Sequence, residues 1–169
     1  MDIKWTHLEN TLNAFLERFI ELAHENLDKN GTNASHGLYN SIKKFNKSIV
    51  IDDTHYTVSV ELADYWKYVE YGTGPQHKPD ARAQYWPKVG PIKEWVNVKQ
   101  GVPKDESFAY AVVGKIHLSG TTAQPFFEPA KEQAIMEFED AIEKAIDEDI
   151  SAFIEEQVIA KLEETLKRF

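Results

Sequence analysis

The chain predicts an α+β fold: a small antiparallel β-sheet flanked by an N-terminal helix and a long C-terminal helix. Three observations carry this. Apolar residues recur at helical spacing from Trp5 to Leu27. The period then switches: Ser48 leads a β-branched run to Ile51, and Tyr56 to Leu62 alternates strictly. A second helical stripe runs from Ile135 to Leu166 with no internal Gly or Pro. At 169 residues the chain reads as a single domain with room for a real core. Its parts are an N-terminal helix over 1–30, a mixed segment over 31–130 containing a loop at 72–90, and a C-terminal helix over 131–169.

In the first helix Trp5, Leu8, Leu12, Phe15, Phe19, Ala23 and Leu27 share one stripe, with Glu9, Asn13, Glu17, Glu21 and Glu25 largely off it. It should end near Asn30-Gly31, where glycine accepts the left-handed cap conformation. A turn follows, then a short helix through Leu38, Ser41, Ile42 and Phe45. Ser48 to Ile51 and Tyr56 to Leu62 read as a hairpin turning at Asp52-Asp53. Tyr56, Val58, Val60 and Leu62 would form its buried face.

Residues 63–71 are dense in aromatics. Tyr65, Tyr68 and Tyr71 are spaced for one helical face, and Trp66 and Val69 for another. Gly72-Thr-Gly-Pro75 stops that helix, because two glycines and a proline continue one only at high cost. The proline-rich, charged stretch to residue 90 reads as a long loop. A short helix over 91–96 has Pro91 in its first turn. Ser107 is the expected N-cap of a helix over 108–118 that buries Phe108, Ala109, Ala111, Val112 and Ile116 and ends at Ser119-Gly120. Pro125-Phe-Phe-Glu-Pro129 leads into the C-terminal helix, with a bend or break expected near Asp147-Glu-Asp149.

Composition excludes several classes. There is no cysteine, hence no disulfide, thiolate metal site or Cys nucleophile. The net charge of −9 opposes a dedicated nucleic-acid binder. A solvated helix end accounts for Lys43, Lys44 and Lys47. No apolar run approaches the length of a membrane span. Met-Asp-Ile-Lys-Trp at the start lacks the pattern of a signal peptide. His7, His24, His36, His55, His77 and His117 include no pair at i, i+3 or i+4, so a zinc site has no support. Gly72-Thr-Gly-Pro75 lacks the Lys and Ser/Thr of a phosphate loop, and Gly114-Lys115 lacks a preceding glycine loop. Ser41, Ser48 and Ser107 have no elbow glycines. Carboxylates are plentiful, but no spacing singles out an acid–base pair. The expectation is therefore no catalytic, cofactor-binding or metal-binding residue and no enzymatic activity.

Two segments remain unexplained by these classes: Tyr68-Val-Glu-Tyr-Gly-Thr73, continuing into Gly74-Pro75, and Gln124-Pro-Phe-Phe-Glu-Pro-Ala130. Together with Gly37-Leu-Tyr-Asn-Ser-Ile42 and Phe108-Ala-Tyr-Ala-Val-Val-Gly-Lys-Ile116, and in this order over residues 35–135, they resemble the neck and tail-completion proteins of long-tailed bacteriophages. The C-terminal helix is longer than that pattern. The resemblance implies a minor structural component of the virion, assembled in the cytoplasm of the infected bacterium. Such a subunit joins tail to head connector as part of a six-fold ring, through which DNA passes without specific binding. Its partners would be other connector and tail proteins and its own copies, though it could be a monomer in isolation. The interaction residues implied are Tyr68, Glu70, Tyr71, Gly72, Thr73, Gly74, Pro75, Pro125, Phe126 and Phe127. The alternatives are a hydrolase using scattered acids, and a small acidic phage or prophage regulatory or inhibitory binding module with no place in the particle.

Overall fold

A computed structural model of the chain describes residues 3–31, 37–43, 49–52, 55–73, 87–99 and 101–167. Its elements are helix α1 (Thr6–Lys29), helix α2 (Gly37–Ser41), strands β1 (Ile49–Ile51) and β2 (Tyr56–Val58), and helices α3 (Trp66–Glu70), α4 (Val89–Val98), α5 (Glu106–Ser119) and α6 (Phe127–Leu166). The class is α+β: a mostly helical chain with one two-stranded antiparallel sheet, an N-terminal helix and a long C-terminal helix. Residues group into two compact units, one of 1–19, 44–60 and 131–169, the other of 20–43 and 61–130.

In the first unit the amino-terminal part of α1 lies antiparallel to α6. His7 and Leu8 donate their backbone N–H groups to the Asp149 carboxylate at 3.0 and 2.9 Å. Phe15 meets Phe138 edge-on, with ring centroids 5.9 Å apart. Arg18 Nε donates to Glu137 at 2.8 Å. Leu8, Leu12, Leu16 and Phe19 are buried, as are Ala134 and Ala145. The small alanines admit a neighbouring helix closely. The expected break at Asp147-Glu-Asp149 is absent, and α6 runs unbroken for 40 residues. The reason is Asp149: its buried carboxylate satisfies first-turn donors of α1, which have no partner within their own helix.

The sheet belongs to the same unit. Ile49, Val50 and Ile51 pair with Val58, Thr57 and Tyr56. Asp52 shapes the turn by accepting from His55 N at 2.9 Å. The expected buried face is not found. Tyr56 is exposed, Val58 and Val60 are half-buried, and β2 stops at Val58 instead of reaching Leu62. With only three residue pairs, alternation along the chain does not translate into a covered side.

In the second unit α1 finishes with Leu22, Ala23 and Leu27 buried, and Gly31 takes φ 64° beyond its end. Leu38 of α2 and the following Ile42 are buried, while Phe45 lies outside the described residues. Helix α4 starts two residues earlier than expected, at Val89, with Pro91 in its first turn. Residues 74–86 of the expected loop lie outside the described residues. Helices α4 and α5 pack as a hairpin, closed at the turn by Lys104 Nζ, which donates to Val96 O at 2.7 Å and to Lys99 O. The N-cap of α5 is Asp105, not Ser107. Asp105 Oδ1 accepts from Phe108 N at 2.7 Å and from the Ser107 hydroxyl at 2.5 Å. A carboxylate is the stronger acceptor at a helix start, so the helix begins one residue before Ser107. These bonds hold the Asp105 carboxyl below its usual range, the Ser107 hydroxyl contributing most. Ala109 and Val113 form the buried stripe of α5, whereas Ala111, expected inside, is exposed.

Candidate functional site

The two segments singled out in the sequence meet in the second unit, and Glu70 joins them. Helix α6 opens at Phe127, so Phe126 holds the N-cap position. An apolar side chain cannot accept a hydrogen bond, and Pro129 contributes no N–H to the first turn. The remaining donors need an acceptor from elsewhere. Glu70, the last residue of α3, supplies it. Its Oε2 accepts from Phe126 N at 2.7 Å and Phe127 N at 2.8 Å, and its Oε1 accepts from Glu128 N at 3.1 Å. The side chain is 2% exposed. A buried carboxylate with three N–H donors at the positive end of a helix is fully solvated by protein.

Gly72 and Thr73 extend the junction. Thr73 and Thr121 exchange backbone hydrogen bonds at 3.1 and 3.0 Å, and their hydroxyls lie 3.0 Å apart. Gln124 N donates to Val69 O at 2.9 Å. Gly72 sits at φ 68°, and a Cβ there would stand 2.4 Å from Thr121 O and 2.8 Å from Ala123 N. Both the left-handed backbone and the close approach demand glycine. Asn26 of α1 donates through Nδ2 to Phe126 O at 3.2 Å, and Asn30, just past the end of α1, donates through Nδ2 to Pro125 O at 3.0 Å. Phe126 is fully buried, and the half-buried Phe127 ring lies 4.9 Å from that of Trp66 on α3.

Of the ten residues expected to mark an interaction site, Glu70, Gly72, Thr73, Phe126 and Phe127 are drawn into this junction, and Pro125 is exposed at its edge. Gly74 and Pro75 lie outside the described residues. Tyr68 and Tyr71 face outward with Tyr65, at 51%, 49% and 44% exposure. Partial desolvation of Tyr65 raises its pKa. Each glutamate and phenylalanine that looked like a contact residue is thus consumed internally, and the tyrosines are what the junction presents to solvent. Thr121, Asn26 and Asn30 were missed by sequence reasoning, since their partners lie 48, 100 and 95 positions away and no local spacing marks them.

Elsewhere in this unit Lys93 reaches Glu106 and lies 5.4 Å from the centroid of the half-exposed Tyr110 ring. The Glu106 carboxylate raises the Lys93 pKa. His24 stacks on Tyr39 at 3.8 Å, its Nε2 3.0 Å from Tyr39 O. Among the described residues no group of three or more His, Asp or Glu is placed to hold a metal ion, and no helix is long and apolar enough to cross a membrane. No family model matches the chain, and neither does any curated protein or solved structure.

Proposed function

We propose that the protein is a structural subunit of a long-tailed phage particle, joining tail to head connector as one member of a six-fold ring around the DNA channel. The observation that carries this reading is the Glu70 junction. It locks the two segments of the resemblance, 68–73 and 124–130, into one body and turns Tyr65, Tyr68 and Tyr71 outward. Tyrosines on a rigid mount suit adhesion, because a large ring is offered at little cost in conformational entropy. A ring needs one face of a subunit to meet a different face of the next, and an exposed aromatic row supplies one of the two. The role involves no chemistry. The acidic balance favours a wall along which DNA slides.

The test is a double variant, Tyr68→Ser with Tyr71→Ser, complemented into a phage that lacks the native protein. Both side chains are about half exposed, so the melting temperature should stay near that of the parent. Heads and tails should then accumulate as separate particles by electron microscopy. Normal yields of joined, infectious particles would reject the reading.

A further inference from the structure

The distal part of α6 presents an apolar ridge to solvent. Asp149 meets the first turn of α1, so from Ile150 onward α6 has run past the start of that helix, and it continues for roughly 25 Å. None of residues 150–167 is fully buried. Ile150, Ile154, Val158, Leu162 and Leu166 follow one another in steps of four, and the last four are each more than half exposed. Steps of four define a single surface ridge, the kind that interdigitates with an equivalent ridge on another helix at a crossing angle near −50°. A helical segment of this length is marginal in water unless such a face is covered.

The flanks of the ridge select the occupant. At 100° per residue, Glu155 falls about 60° to one side of Val158 and Lys161 about 60° to the other. When two copies of this helix pair in the same chain direction, each flank meets the opposite flank of its partner. Glu155 of each copy then faces Lys161 of the other. An antiparallel pair would bring each flank against its own kind, carboxylate against carboxylate. We infer that residues 150–166 dock on the same segment of a second copy of this chain, the two helices crossing with their chain directions alike. The interface is small, so the pairing is reversible and concentration-dependent. It stands apart from the head–tail reading and can hold whether or not that reading does.

The absence of cysteine makes the direction measurable. Light scattering across a wide concentration range should show monomer passing to dimer for the parent chain and monomer throughout for Leu162→Asp, with circular dichroism showing that the variant remains folded. Lys161→Glu should weaken dimerisation roughly tenfold through two exposed pairs, and adding Glu155→Lys should restore most of it. Under oxidation Ile154→Cys alone should give a covalent dimer. A parent chain that stays monomeric at every concentration overturns the inference. So does cross-linking that appears only when Ile154→Cys and Leu162→Cys chains are mixed, which marks the antiparallel pair. A monomeric chain that takes up a basic partner protein on this ridge overturns it too.

Discussion

The strongest dependence on one side chain falls on Glu70. Glu70→Ala leaves the donors of Phe126, Phe127 and Glu128 without an acceptor in a site closed to water, and should cost about 3 kcal/mol. Glu70→Gln keeps one acceptor oxygen but turns an NH2 group toward N–H donors, and should cost nearly as much. Urea unfolding measures both; midpoints equal to the parent would show that the carboxylate contributes nothing. At this scale the sequence was only partly legible. Glu70 is one acid among 28; the resemblance marked it as a contact residue, and no spacing gave it the role of a helix cap. The readable signal lies in the other segment, where a helix start with phenylalanine at its N-cap and proline in its first turn has to borrow an acceptor. Gly72 was legible as a helix stop. That a Cβ there would strike the Thr121 carbonyl depends on a residue 49 positions away and was not.

Among elements, the long amphipathic helices were read well and the short or locally ambiguous features less so. Helices α1 and α6 announced themselves because a 3.6-residue period repeated over many turns leaves little ambiguity. The hairpin was found but its buried face was not, since three pairs are too few for alternation to decide burial. The start of α5 slipped from Asp105 to Ser107 because both residue types cap helices and their difference is one of charge. The acidic triplet at 147–149 looked like an interruption, yet one member is a cap for α1. The pairing of α1 with α6 has a pH signature. Hydrogen bonds from Arg18 and then Gln133 hold the Glu137 carboxyl below the usual carboxylate range. A carboxyl whose pKa is depressed by folding stabilises the native state above its unfolded value, and that contribution disappears as the pH falls through the folded value. The melting temperature should therefore hold near neutrality and fall below about pH 4.5, with a shallower fall in Arg18→Met. The two groups are partly exposed, so the difference is small. Parallel curves for parent and variant would reject the assignment.

For the molecule as a whole, the class was legible because helical and strand periods occupy separate stretches of the chain, whereas the clustering of residues into two discontinuous units has no local signature. The net charge of −9 gives a prediction at this scale. Duplex DNA should migrate unretarded in the presence of the protein even at low salt, because a net charge of −9 opposes the approach of phosphates. A salt-dependent shift in a gel would contradict it. The cap on α1 also bears on how the chain matures. Helix α1 leaves the ribosome before α6, and the carboxylate that receives Leu8 N lies 141 residues further on. Until that part of the chain emerges, the newborn helix has frayed, thirsty amides at its beginning. The first turn of α1 is therefore finished only after Asp149 of α6 has been made and has found it, a closure over 141 residues.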